Sequence, residues 1–297
     1  MKIKEAIEDY LVEIEIRKYT PVTIKNQRSK LNQFMKFCEE NEITDIDEVS
    51  LPVVKKYTQH LIQKGYKGLS INGMLKVIKV FIQYCYDEEY GGFNTNTKKI
   101  KWVKQDKPVV KSFTVNDVKT MLNECKGNNY LDIRDKTILI MLFETGIRVS
   151  ELRTITAKDI FDDYILITGK GRKQRVVPIT PMVKKALMRY QRAKDSYFKL
   201  KMTEDFLFLS YRGKAFTNTG IEFILKKRGK AVKDVRVSPH TCRHFFAQQQ
   251  IKMGVDVYTI SRLLGHENIS ITQIYLNSLK NEDLIKLTKN NSVLMNM

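Results

Sequence analysis

Cysteine is scarce in this sequence: 297 residues contain four, and Cys38, Cys85, Cys125 and Cys242 are far apart. No C-x-x-C pair occurs, which argues against a disulfide scaffold or a cysteine-rich zinc site and for reduced thiols in a cytoplasmic protein. No window reaches the roughly 18 consecutive apolar residues of a membrane span, so no membrane partner is expected. The N-terminal stretch MKIKEAIEDYLVEIEIRKY is charged at helical spacing and lacks the apolar run of a signal peptide. G-x-x-x-x-G-K-[ST] is missing, which disfavours a nucleotide-binding ATPase. Internal repeats and low-complexity tracts are also missing.

What is present is enough apolar material (42%) and aromatic material (10%) for two ordinary domains. The formal net charge is +19, and a polyanionic partner follows naturally from it. The charge is unevenly placed. Residues 1–90 carry 14 basic and 14 acidic side chains, whereas residues 91–297 carry 38 and 19. The whole excess lies after residue 90, which implies two parts with different tasks.

The first part, 1–90, reads as an all-α domain. Apolar stripes recur at helical spacing in Ile3, Ile7, Tyr10, Leu11 and Ile14, then in Ile24, Leu31, Phe34, Met35 and Cys38. A third helix is expected after Ser50 and Pro52. A fourth, from Ser70 to about Asp87, carries Ile71, Met74, Ile78, Phe81 and Ile82. Residues 91–111 read as a basic linker whose Lys98, Lys99, Lys101 and Lys104 are candidates to follow a phosphate backbone; a merely soluble connector is the equal alternative. From 112 to 297 the pattern is mixed α/β. Thr114 caps a helix, an apolar helix runs from about Tyr130 to Glu144 and ends at Gly146, and Ile165–Thr168 and Arg175–Pro178 read as two strands around GKGRKQ. Helices are expected at about 181–197, 219–230, 239–253, 256–264 and 270–277. The fold class is therefore mainly α with a small antiparallel β-sheet.

Four segments could carry chemistry. In SPHTCRHFFA, Ser238 caps and Pro239 opens a helix, so His240 lies in the first turn, where free N–H groups attract anions. Arg243 follows one turn later, and a guanidinium there suits a phosphate. His240 and His244 also have the i, i+4 spacing of zinc ligands. The Glu of H-E-x-x-H is missing, however, and Arg243 would stand beside the metal, so no metal site is expected. In ETGIRVSEL, Arg148 lies just beyond the Gly146 break, with Glu151 placed to hold it. In ILITGKGRKQRVVPI a hairpin turn presents Lys170, Arg172, Lys173 and Arg175. In LLGHENISITQIYL, His266 follows a helix-ending Gly265, and Tyr275 lies on the next short helix. Each has a bland alternative: a surface arginine, a solvated basic hairpin, a capped helix start, a packing tyrosine.

Together, Arg148, Lys170, His240, Arg243, His266 and Tyr275 fall in the order R–K–H-x-x-R–H–Y. They sit within T-G-x-R-x-S-E-L, G-K-G, H-x-x-R-H and L-L-G-H, with a tyrosine nine residues after that last histidine. This set closely resembles the tyrosine recombinase (phage integrase) family over residues 112–285, with the compact layout of Xer-type enzymes. The helices of 1–90 resemble, less closely, the family's core-binding (SAM-like) domain. Two departures are Cys242, where a bulky apolar residue is more frequent, and Leu-Asn after Tyr275 in place of Thr-His.

The resemblance implies a site-specific DNA recombinase that cleaves and rejoins strands through a 3′-phosphotyrosine at Tyr275, without cofactor, metal or ATP. It gives His240 the role of proton acceptor, Arg148 and Arg243 the non-bridging oxygens, Lys170 the leaving 5′-oxygen, and His266 a hydrogen bond to the phosphate. Arg172, Lys173 and Arg175 become DNA contacts beside the linker lysines. The implied partners are double-stranded DNA sites, further copies of the chain in a tetramer on DNA, and an accessory DNA-bending protein or partner recombinase. The tail with Leu279, Leu284, Ile285 and Leu287 would dock on a neighbour or on its own domain. Mobile-element integration or excision and Xer-type dimer resolution both fit. A non-catalytic DNA-binding regulator accounts for the charge but not for the six residues, and a type IB topoisomerase shares the chemistry on a single duplex.

Overall fold

The structure is a computed structural model that describes residues 1–90, 96–105, 111–169, 171 and 173–276. The chain divides into two compact units, Met1–Lys107 and Pro108–Met297, each with its own apolar core. Among the described residues no helix is long and apolar enough to cross a membrane, and all four cysteines are buried and free.

The first unit is helical because its apolar residues return every three or four positions. Helix α1 (Ile3–Ile16) buries Ile3, Ile7, Tyr10, Leu11 and Ile14. Helix α2 (Pro21–Glu39) starts where the Thr20 hydroxyl accepts the Thr23 N–H, with Pro21 in the first turn. Helix α3 (Leu51–Gln63) has Ser50 at its cap position, although the serine side chain makes no capping bond. Helix α4 (Gly68–Asp87) buries Ile71, Met74, Ile78, Phe81 and Ile82.

Residues 96–105, read from sequence as part of a linker, belong to this unit and pack on α4. Ile100 is buried in the core. The Asn72 side chain donates to the Val103 carbonyl and accepts from the Val103 N–H, both at 2.9 Å. Lys79 donates to the Ile100 carbonyl and lies 4.7 Å from the Trp102 ring centre. Beyond the single 3-10 turn Thr97–Lys99, the segment thereby satisfies backbone groups through side chains of α4. Lys98, Lys99, Lys101 and Lys104 remain exposed along it.

The second unit is built around α6 (Tyr130–Thr145), which packs against α5 (Val115–Asn123), α8 (Pro181–Phe198) and α10 (Pro239–Lys252). Apolar side chains cover nearly every face of α6 and most are buried, as in a helix enclosed by its own domain. Thr114 and Asp117 close the capping box that starts α5. Between α6 and α8 lie the single turn α7 (Val149–Leu152) and a two-stranded sheet. Its strands β1 (Tyr164–Thr168) and β2 (Gln174–Pro178) are antiparallel, with Ile167 opposite Arg175. Helices α9 (Asn218–Arg228), α11 (Val257–Leu264) and α12 (Ser270–Leu276) complete the described part. The fold is thus mainly α with a small antiparallel sheet.

The core of this unit holds a charged cluster. The Arg228 guanidinium of α9 meets Asp132 at 2.5 Å and Asp135 at 2.6 Å, and Arg134 meets Asp135 at 2.7 Å. Arg134, Asp135 and Arg228 are all buried. Removing one partner leaves a buried charge uncompensated, so Asp135→Ala is expected to destabilise this unit by about 3–5 kcal/mol in urea unfolding. A loss below about 1 kcal/mol, the range of solvated surface pairs, would show that the cluster is not coupled in this way.

Candidate active site

Helix α6 stops at Gly146, whose φ of 59° is left-handed. An added Cβ there would come within 2.4 Å of the Phe246 ring. This glycine therefore sets how closely the end of α6 approaches α10. Arg148 emerges two residues later. Its backbone N–H and its Nη1 both donate to the Glu151 carboxylate, at 2.8 and 2.9 Å.

Three guanidinium groups from three elements close on the end of α11. Arg175 Nε of β2 donates to the Leu263 carbonyl at 2.8 Å, Arg243 Nη2 of α10 to the Leu264 carbonyl at 2.6 Å, and Arg148 Nη2 to the Gly265 carbonyl at 3.0 Å. Arg243 Nη1 also donates to the Gly146 carbonyl at 2.8 Å, so one side chain ties two helix ends. Those carbonyls have no partner within their own helices and carry the negative end of the helix dipole, which suits cations. Gly265 is left-handed at φ 64°, and a Cβ there would press on Arg175 at 3.0 Å. His266 follows directly, and its Nδ1 lies 2.8 Å from the hydroxyl of the buried Thr272 on α12.

Glu151 is the single buried carboxylate named in this arrangement. Arg175 binds it with both terminal nitrogens, at 2.9 and 2.7 Å. Burial opposes its ionisation, but Arg175 and then Arg148 more than reverse this, and its pKa lies below the ordinary value. Arg243 is 4% exposed. Burial, then Arg148, lowers its pKa to about 10, so it stays charged at neutral pH.

Tyr275, on α12, is 2% exposed and packs with Phe246, Ala247, Ile251, Ile260 and Leu264. Its hydroxyl lies 3.0 Å from Nδ1 of His244 on α10. The ring of His240 meets that of His244 edge-on at 4.2 Å, and the His266 ring stands 6.4 Å from the phenol ring. Burial raises the Tyr275 pKa while Arg243 and Arg148 pull it down. Loss of hydration lowers all three imidazoles. Arg243 and Arg148 add to the effect at His240, and His244 and His266 fall to about 4.

The structure thus brings together Arg148, His240, Arg243, His266 and Tyr275, which are scattered over more than 120 residues of sequence. Lys170 and Arg172 lie outside the described residues. Two expectations change. Arg175, expected on the DNA face, is turned inward as the partner of Glu151, with a side chain 13% exposed. The imidazole that meets the Tyr275 hydroxyl is His244, which sequence reasoning weighed only as a zinc ligand, and not His240. Its sequence signals were its position a single turn after His240 and its place at the end of H-x-x-R-H. Lys173 is exposed and pairs with exposed Glu267 at 2.7 Å.

Residues 111–282 match the phage integrase family and residues 7–89 match the phage integrase N-terminal SAM-like domain. The chain belongs to the phage integrase family of tyrosine recombinases. Tyrosine recombinase XerD of Staphylococcus epidermidis is 31% identical to this recombinase over 283 residues, covering 93% of the chain and 95% of the relative. The Staphylococcus aureus protein of the same name is 30% identical over 280 residues, with the same coverage. Among solved structures, the recombinase shares its fold with XerH bound to a palindromic difH substrate, with a TM-score of 0.75 and 18% identity over 94% of this chain and 82% of the other. It is also similar to the Tn1549 transposon integrase in complex with transposon right-end DNA, with a TM-score of 0.71 and 19% identity over 98% and 99%.

Proposed function

We propose that this recombinase acts at specific sites in double-stranded DNA, cleaving and rejoining strands through a 3′-phosphotyrosine at Tyr275, as a tetramer on paired sites. The observation that carries the reading is the placement of one phenol against an imidazole and in the field of Arg148 and Arg243. A phenol with a pKa of about 10 is a poor nucleophile at neutral pH. Here its proton has the imidazole pair His240 and His244 as a destination. Arg148 and Arg243 hold the non-bridging oxygens of the scissile phosphate, and His266 donates to it. Their charge opposes the negative charge that builds as Oη bonds to phosphorus. Lys170 protonates the departing 5′-oxygen. These groups supply the positive charge that metal ions bring to many phosphoryl transfers, so cleavage proceeds without divalent metal. The phosphotyrosine keeps the bond energy, and rejoining needs no ATP.

The exposed Lys98, Lys99, Lys101 and Lys104 follow the phosphate backbone. The relatives support the same direction: the XerH structure is a post-cleavage complex, and the Tn1549 integrase is held on its transposon end. The biological task is either mobile-element integration and excision or Xer-type resolution of DNA dimers.

The test is trapping on a nicked recognition site in EDTA, followed by peptide mass spectrometry of the adduct. The expected result is a covalent protein–DNA species with the nucleotide on Tyr275. No adduct in EDTA, with recovery on adding magnesium, would overturn the metal-free step. An adduct on another residue would overturn the nucleophile.

A further inference from the structure

We infer that His244 is a further catalytic residue of this site: its Nδ1 takes the Tyr275 hydrogen bond, aims the phenolic oxygen and is the first acceptor of its proton. This rests on the reading of Tyr275 as the nucleophile. Three observations carry it. The 3.0 Å separation between Nδ1 and Oη is within hydrogen-bond range. Both groups are held from outside the contact: His244 is in the middle of α10, and the Tyr275 ring is enclosed by Phe246, Ile251, Ile260 and Leu264. The His240 ring, 4.2 Å from His244 and exposed at the helix start, offers the proton a way onward.

A packing histidine would need none of this. A phenol buried to 2% exposure still needs hydrogen bonding for its hydroxyl, and here a titratable nitrogen lies within reach of it. When Nδ1 accepts, the ring carries its own hydrogen on Nε2.

In the step, the Oη–H bond breaks and an Nδ1–H bond forms. The electron pair left on Oη makes the bond to phosphorus while the bond from phosphorus to the 5′-oxygen breaks. That pair goes to the 5′-oxygen, which takes its proton from Lys170. In rejoining, the 5′-hydroxyl attacks, and the proton returns from His244 to the phenol.

The charged and titratable groups facing His244 set when it can accept. They are His240 and Arg243 on its own helix and Tyr275 from α12. Burial, then His240 and Arg243, hold His244 neutral at pH 7, so its nitrogen lone pair is free. The same groups oppose the imidazolium that would form. A phosphodiester between Arg148 and Arg243 brings the opposite charge and removes much of that opposition, which ties proton acceptance to bound DNA.

The experiment measures single-turnover adduct formation on a nicked recognition site, with saturating protein, for His244→Phe, His244→Asn and His244→Ala. DNA affinity and thermal unfolding are followed in parallel. His244→Phe keeps an aromatic ring without an acceptor, and its adduct formation is expected to fall by about 10²-fold or more at unchanged DNA affinity. His244→Asn places an amide near the Nδ1 position and is expected to recover part of the rate, with a flatter dependence on pH than the wild type. Added imidazole is expected to raise the rate of His244→Ala and not that of His244→Phe. Folded, DNA-binding His244→Phe within threefold of the wild-type rate would overturn the inference. So would His244→Ala that is slow but unmoved by imidazole while His244→Asn is equally slow at every pH. If the wild-type adduct maps away from Tyr275, the underlying reading fails. If it maps to Tyr275 and the His244 variants behave as wild type, only this inference fails.

Discussion

Tyr275→Phe is expected to bind a recombination site with unchanged affinity and to form no covalent adduct with it. The substitution removes one atom from an enclosed ring. The packing against Phe246, Ala247, Ile251, Ile260 and Leu264 remains, because phenylalanine fills the same volume. The hydrogen bond to His244 is lost, at a net cost of about 0.5–1.5 kcal/mol. Thermal unfolding should therefore shift by a few degrees at most, while the covalent band disappears entirely. The wild-type rate should also rise from pH 6 toward pH 9, because burial holds the phenol above its ordinary pKa and Arg243 and Arg148 only partly offset this. An adduct that survives Tyr275→Phe, among the fourteen tyrosines of the chain, would assign the chemistry to another residue.

The stability of the site should fall with acid before the chain as a whole is protonated. His244 and His266 have folded pKa values of about 4 against an ordinary value near 6.5, so the unfolded chain binds protons first as pH drops. Between those limits stability rises with pH. Below about pH 4 both states are protonated there, and these two residues contribute no further dependence. Glu151 acts lower on the scale. Its depressed pKa gives stability that is present above the ordinary glutamate range and lost as pH falls through the folded value.

Much of the fold was legible because local chemistry and periodicity agree. The stripe of α1, the stripe of α4 and the Thr114 capping box each specify an element without help from distant residues. Gly146 is legible for the same reason: an apolar helix that stops at glycine reads as a left-handed cap. What escaped were contacts made by one side chain reaching far along the sequence. Asn72 binds Val103 across 31 residues, and with Lys79 on the Ile100 carbonyl it helps to join the lysine-rich segment to the first unit. No periodic signal announces it.

The candidate site divides in the same way. The family resemblance of their motifs singled out Arg148, His240, Arg243, His266 and Tyr275, but not which way each points. Arg175 lies opposite Ile167 on a basic hairpin, so a solvent-facing, DNA-contacting reading was natural. Its partner Glu151 is 24 residues away and its carbonyl acceptor 88 residues away. A pattern cannot distinguish a guanidinium aimed at DNA from one that holds a carboxylate in place. His244 was overlooked for a related reason: a histidine one turn from another suggests a metal until its actual neighbour is known to be a phenol.

Arg243→Lys is expected to slow adduct formation by about 10³-fold, with DNA affinity changed less than tenfold. The native guanidinium is planar. It reaches the Gly146 carbonyl with Nη1 and the Leu264 carbonyl with Nη2 at once, which fixes its plane and aligns the end of α6 with the end of α11. An ammonium is a compact point charge that cannot bridge two carbonyls in that geometry and still face a phosphate. The substitution has a second effect. Burial and Arg148 already lower the arginine's pKa to about 10 without discharging it. The same surroundings acting on a lysine begin from about 10.4 and bring it toward neutrality. A neutral amine would leave both carbonyls weakly held and the phosphate with one cation fewer. The two effects separate by pH. Lost charge is regained on acidification, so the ratio of variant to wild-type rate should rise as pH falls from 9 to 6, whereas lost geometry is not recovered at any pH. A variant within about tenfold of the wild type at pH 7.5 would mean that Arg243 serves mainly to tie the two helices. The positive charge facing the phosphate would then have to come from Arg148.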